Sequence, residues 1–382
     1  GSSSQAVAVA APPRPEPPMP IAPDALPASC GVEGHPRTWR AEVEAALCEV
    51  QRALKAEDSV LEAEARLGEL LTRLDAPGGD RDAVLAAMDL RSSPVFAGVA
   101  ARIQKYEKVG RVLDPSSFKL QWKREDAALW VNASPGATWF EYRLAATLDG
   151  TLGEIMVALN EFDLAPRYQP QLVGPPTILG EHTRNQFVLR SLISLLMLRI
   201  EIMVEISRFV DTANGVLVEH VQPPPEGTPL PPKTWQNKRI SVNAQNIFLP
   251  RGGDRSGTVI VSVTHIEVGV RLPEFILNFV INQMAKDFLD NLHTCVKLAK
   301  TPGSLWQKRL EEDASGYYAQ LRRVEQAAVK RQECSVDNLP GSEVFERPWR
   351  ITQDSKVGTP PVAVEAPCDA RDSDAASKVM LL

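Results

Sequence analysis

Residues 271–292 read RLPEFILNFVINQMAKDFLDNL. Pro273 suits the first turn of a helix, where its missing N–H costs nothing. Leu272, Phe275, Ile276, Phe279, Val280, Met284, Phe288, Leu292 and Val296 recur at helical spacing, so the stretch predicts an amphipathic helix over 272–299. The run just before it, GTVIVSVTHIEVGV (257–270), alternates like a strand. A long helix that follows strands has one obvious place for its apolar stripe, the concave face of a curved sheet.

The strands are written upstream. In SFKLQWKRE, Phe118, Leu120 and Trp122 alternate with Lys119, Gln121 and Lys123; AALWVNA and TWFEYRLAATL follow, the last with Phe140, Tyr142 and Leu144 on one face. A helix over TLGEIMVALNEFDLA comes next, with Asp149 as its expected N-cap. NQFVLRSLISLLML reads as a short buried helix. It runs into RIEIMVEISRFV, where Ile200, Ile202, Val204 and Ile206 alternate with Glu201, Met203, Glu205 and Ser207. ANG turns the chain into VLVEHV, and a Pro-rich loop (222–233) separates that strand from KRISVNAQNIFL. Strands segregated from helices predict an α+β protein with an antiparallel sheet.

The flanks differ. Residues 1–36 are an Ala/Pro-rich tail without apolar periodicity, expected to be disordered. Residues 37–112 form an all-helical module: Trp39, Val43, Leu47, Val50 and Leu54 share one face, and DSVLEAEARLGELLTRL supplies a second helix with Asp58 or Ser59 as cap. The module reads first as a support packed on the sheet and second as a docking unit. The sheet and long helix occupy 113–300, a mixed-charge solvated helix is expected within 301–333, and 334–382 reads as a mostly disordered tail.

Composition narrows the function. The chain has 382 residues and a net charge of −6, which argues against a surface built to neutralise phosphates, so no nucleic-acid partner is expected. Five scattered cysteines form no CxxC pair, and no metal site or cofactor is expected. GxSxG, HExxH, GxGxxG and P-loop patterns are absent, and five widely separated histidines suggest no triad, so no catalytic residue is assigned and the protein is read as a non-enzyme. His265, in the last strand, is a candidate for pointing into the interior. Glu201, Glu205 and Arg208 read as solvated charges on the outer face.

The order of elements resembles the START (StAR-related lipid transfer) family, a helix-grip, Bet v 1-like fold. The residues that carry the likeness are TWFEYRLAATLDGTLGEIMVALNEFDLAPRYQP, with Tyr168 where the family usually has tryptophan, LISLLMLRIEIMVEISRFV, and GTVIVSVTHIEVGVRLPEFILNFVINQMAKDFLDNLHTC. The resemblance implies a curved antiparallel sheet wrapped around a long C-terminal helix. It also implies one lipid or sterol in an apolar cavity beneath that helix, touched by Tyr142, Ile202, Val204, Phe275, Phe279 and Met284, with transient contact to a membrane surface during intermembrane transfer. The alternative is a non-catalytic accessory or scaffold subunit of a larger, organellar complex, with protein partners held through the helical module and tails. Either reading suits a cytoplasmic or organellar location.

Overall fold

The computed structural model describes residues 39–54, 59–76, 81–111, 118–134, 136–195, 198–251, 257–271 and 279–329. The two expected tails and Phe275 lie outside them. Four helices come first: α1 (Trp39–Arg52), α2 (Val60–Leu74), α3 (Arg81–Ser92) and α4 (Pro94–Arg111). Ser59 caps α2, its Oγ accepting from the Glu62 N–H at 3.3 Å. Val43, Val50, Leu67, Leu71 and Leu90 from these helices share one hydrophobic core with Phe209, Val216, Val218, Ile247, Leu249, Val259 and Val261 of the sheet. The helices therefore cover the outer, convex face.

Nine strands build that sheet: β1 (Lys119–Lys123), β2 (Ala127–Asn132), β3 (Trp139–Leu148), β4 (Thr177–Thr183), β5 (Gln186–Leu195), β6 (Leu198–Asp211), β7 (Val216–Gln222), β8 (Asn237–Pro250) and β9 (Thr258–Glu267). Their order is β1-β2-β3-β9-β8-β7-β6-β5-β4, and each neighbouring pair is antiparallel. β6 and β8 have 14 residues each and β7 between them only seven. Pro223, Pro224 and Pro225 end β7 because proline donates nothing to a ladder. Beyond that point β6 and β8 pair directly, Arg199–Ile202 with Asn237–Ile240. Losing one strand from the middle draws the sheet together at that end and adds to its curvature.

The concave face holds α5 (Leu152–Asn160), a π-helical turn (Val280–Met284) continuing into α6 (Ala285–Lys300), and a C-terminal hairpin of α7 (Leu305–Glu312) and α8 (Tyr317–Ala328). These helices share a core with Leu148, Val210, Leu217, Phe248 and Ile260. Gly215, in the β6–β7 turn, has φ +64°, and a Cβ there would lie 2.5 Å from the Ala328 nitrogen. Glycine is needed both for the left-handed backbone and for the close approach of α8.

Several expectations change. Gln186–Leu195 is strand β5, not a buried helix. Its Phe187, Val188 and Leu189 are all buried, so the run shows no alternation, and periodicity cannot separate a short doubly covered strand from a helix. Thr151, not Asp149, caps α5 through a capping box with Glu154 (3.2 and 2.8 Å), while Asp149 pairs with Lys300 at 3.2 Å. The expected solvated helix of 301–333 is instead a hairpin that buries Trp306, Tyr317, Tyr318, Leu321 and Val324. Glu201, Glu205 and Arg208 are each at most 4% exposed.

Candidate ligand cavity

Alternation decides which side chains meet under α6. On β3 the inward residues are Phe140, Tyr142, Leu144 and Ala146; on β6 they are Ile202, Ile206 and Arg208; on β9 they are Ile260, Ser262, Thr264 and Ile266. Ile281, Ala285, Phe288, Leu289 and Leu292 close the space from the helix side. Between these layers lies a cavity of about 480 Å³ with predominantly apolar walls. The sheet's curvature and the small side chains Ala146, Ala244 and Ala285 in its wall keep it from being filled.

One row of the wall is polar. Register sets Arg208 opposite Glu219, Glu219 opposite Asn246, and Asn246 opposite Ser262, across four successive strands. The Arg208 Nε donates to Glu219 Oε2 at 2.7 Å, and Asn246 Nδ2 donates to Glu219 Oε1 at 2.7 Å. Burial alone would lower the Arg208 pKa, but Tyr317 and Glu219 beside it more than offset this, so the guanidinium stays charged. On β6–β8 the rows on either side are apolar, Ile206, Val221 and Ala244 on one and Val210, Leu217 and Phe248 on the other, though the first continues into Thr264 and Tyr142 on β9 and β3. The cavity thus has mainly apolar walls with a charged row on β6–β9 and further polar side chains at Tyr142, Thr264, Gln169, Gln171 and Asn291, the usual make-up of a small-molecule site.

Of the residues expected at the ligand, Tyr142 and Ile202 stand in the cavity wall. Burial pushes the Tyr142 pKa up, so its phenol stays protonated, and Thr264 pulls the other way through a hydrogen bond. Val204 is buried with Phe187, Leu189 and Ile206 in the adjoining part of the inner face. Phe279 is 43% exposed at the start of the helix and stands apart from the wall. Met284 ends the π-helical turn, and its side chain, like all of Phe275, lies outside the described structure. His265 does not point inward: it sits on the outer face, 3.0 Å from Glu141 Oε1 and stacked on Trp139 at 5.4 Å. The polar row escaped the sequence reading, although a signal was there. Arg208 stands two residues beyond Ile206 and so shares the parity of the apolar face.

No protein-family model matches the chain, and no curated protein matches it in sequence. Solved structures do resemble it. The human StAR-related lipid transfer protein 5 is 16% identical over 53% of this chain and 99% of its own, with a TM-score of 0.45. A STAR-related lipid transfer protein fragment from Xanthomonas axonopodis is 16% identical over 47% of this chain and 99% of its own, with a TM-score of 0.40. The ZhuI aromatase/cyclase from Streptomyces sp. R1128 is 12% identical over 44% and 99%, with a TM-score of 0.31. Nine strands among the described residues, in one curved sheet closed by a C-terminal helix over a cavity, make the chain an α+β helix-grip fold.

Proposed function

We propose that the protein binds one lipid or sterol in the cavity beneath α6 and carries it between membranes. The observation that supports this most is the cavity itself, about 480 Å³ of mainly apolar space with a charged row in its wall. That volume is within the range of roughly 300–1,000 Å³ typical of sites for single small ligands. It suits a single-chain or polycyclic amphiphile better than a lipid with two long chains. Apolar burial would supply most of the affinity, about 2.5 kcal/mol for each ~100 Å² of ligand surface removed from water. Tyr142 and Ile202 contact the apolar body. Loading requires α6 and the turn before it to move aside, which is easiest where a bilayer covers the exposed apolar surface.

Catalysis of the kind named for the aromatase/cyclase neighbour needs an acid or base free to exchange protons with a substrate. In this cavity the Glu219 carboxylate is bound on both oxygens, by Arg208 and Asn246, which favours binding over chemistry. Native mass spectrometry of the purified protein, followed by transfer between donor and acceptor liposomes, tests the reading. A co-purifying amphiphile and measurable transfer are expected. A protein that arrives empty and takes up no lipid of any class offered overturns it and leaves the accessory-subunit reading.

A further inference from the structure

The connection from β7 to β8, PPPEGTPLPPKTWQ (223–236), takes no part in the cavity walls. Its middle, Thr228–Pro232, has little conformational choice. Pro229, Pro231 and Pro232 hold φ at about −65°. Thr228, Leu230 and Pro231 each precede a proline, which disfavours the α region for them. Both constraints lead to polyproline II, a helix of three residues per turn with no hydrogen bonds of its own. Burial follows that period: Thr228 and Pro231 are half-buried, while Pro229, Leu230, Pro232 and Lys233 are exposed. Pro229 and Pro232 thus stand one turn apart on the outward side, with Leu230 beside them.

The run is held at both ends and from beneath. Gly227 has φ +85°, and the Thr228 N–H and Oγ1 both donate to Pro225 O, at 3.1 and 2.7 Å. Thr234–Asn237 form a second turn, closed by the Asn237 N–H on Thr234 O at 3.3 Å. Between the turns Arg239 Nη2 donates to Pro231 O at 2.9 Å. Arg239 is itself fixed by Glu201 at 2.8 Å, and Arg190 holds the same carboxylate from the other side at 2.8 Å. The buried Glu201 pair therefore anchors the inward side of the loop. On the outward side the carbonyls of Pro229, Leu230 and Pro232 have no partner among the described residues. Trp235 stands at the crest of the second turn, 93% exposed, the most exposed large apolar side chain among the described residues.

This surface has prolines, free carbonyls, one indole and one ammonium group on a fixed extended backbone. A bilayer is a poor occupant, because the free carbonyls would enter hydrocarbon with nothing to satisfy them. A protein groove lined with aromatic side chains suits every feature. Its rings take the outward prolines, and its Tyr hydroxyls and Trp N–H groups donate to the carbonyls. The backbone is already ordered, so little freedom is lost on binding. Lys233 at the end of the run calls for an acidic side chain beside the groove.

We propose that residues 228–235 are a docking site for a polyproline-reading protein domain, whose aromatic groove takes Pro229 and Pro232, whose acidic margin meets Lys233, and against whose edge Trp235 packs. This goes beyond the lipid-binding reading and is independent of it, so either can fail without the other.

The experiment titrates the full chain, by biolayer interferometry, against purified polyproline-reading domains of the WW, Src-homology-three and profilin types, and against vesicles of phosphatidylcholine and phosphatidylserine in equal parts. At least one domain should bind. Pro229→Ala, Pro232→Ala and Trp235→Ala should each weaken that binding by about ten-fold or more, as loss of a central anchor does. All three side chains are exposed, so thermal midpoints should stay near that of the wild type. Binding that the three variants leave unchanged comes from elsewhere in the chain, the Pro-rich residues 1–36 included, and overturns the proposal. Binding to no domain of the panel also overturns it, and vesicle binding lost in Trp235→Ala would then give the loop to a membrane surface.

Discussion

Strand β6 carries buried charge on both of its faces, and the two faces treat it differently. On the outer face Glu201 accepts from Arg190 at 2.8 Å and Arg239 at 2.9 Å. Glu205 accepts from Lys105 of α4 at 2.9 Å, from Gln186 at 2.8 Å and from Gln222 at 2.5 Å. Asp211 accepts from Tyr106 of α4 at 2.6 Å and from Asn214. Two of these three carboxylates are thereby tied to α4. On the inner face, two residues from Ile206, Arg208 is paired just as closely, but its row borders an open cavity. Buried, paired charge is therefore not what distinguishes a site in this protein. Unfilled space beside the charge is.

The comparison is broken most forcefully from the inside. Glu219→Ala leaves Arg208 buried without its counter-ion, a change that typically costs about 3–5 kcal/mol. Urea unfolding should show a loss of that size together with loss of lipid binding. A shift below about 1 kcal/mol would mean that the cavity solvates Arg208 well enough for the row to count as surface, and the contrast between the faces would disappear.

On the outer face Glu205→Gln should cost about 1–3 kcal/mol, because the donors around it lose a charged acceptor. Ligand binding should be untouched. Burial pushes the Glu205 pKa up, but the bonds from Lys105, Gln186 and Gln222 outweigh it, so the folded-state pKa lies below the unfolded one. The contribution is then present above the unfolded value of about 4.3 and fades as pH falls through the folded value. Wild type and variant should converge in stability as the pH is taken from 6 to about 3. A gap that stays constant would assign the effect to packing alone.

These two positions also show how far the sequence carries. Alternation in 200–207 gives the strand and its two faces, and extending it by one step places Arg208 inward. What alternation cannot supply is the partner. Glu201 and Glu205 look solvated until Arg190, Arg239 and Lys105, which lie up to 100 residues away, are brought over them. The hairpin α7–α8 was opaque for a similar reason: Arg309, Glu312, Arg322 and Glu325 read as a wet helix, while Trp306, Tyr317, Tyr318 and Leu321 supply a buried face split between two short elements. Strand β5 lost its period because both of its faces are covered, as its run of three buried residues shows.

A smaller effect is expected from Tyr106→Phe, which removes the hydroxyl that donates to Asp211 and should cost about 1 kcal/mol with no change in lipid binding. Burial, then the nearby Asp211 carboxylate, raises the Tyr106 pKa well above its ordinary value. The phenol's contribution is complete below the unfolded value of about 10 and is lost as pH rises toward the folded one. The difference between variant and wild type, read from thermal midpoints, should therefore narrow above pH ~10. A change in lipid binding would show that α4 communicates with the cavity through β6, and the two faces could no longer be treated separately.

The smallest effect is expected at Phe279. The apolar stripe of 280, 284, 288, 292 and 296 advances four residues at a time, and each such step turns an α-helix by about 40° past a full circle, so these positions drift around the helix rather than hold one line. Counted back from Phe288, Leu289 and Leu292, which do line the cavity, Phe279 falls on the far side, in keeping with its 43% exposure. The π-helical turn at Val280–Met284 alters the phase further, and Ile281 and Ala285 are the side chains that reach the cavity there. Phe279→Asp should thus change stability by less than about 1 kcal/mol, as substitutions at exposed positions usually do. Ile281→Asp, at a residue 5% exposed, buries an unpaired carboxylate and should cost several times more. Thermal unfolding of the two variants side by side decides the matter. Equal losses would place Phe279 inside, reassign the inward face of this helix, and move the entrance of the cavity with it.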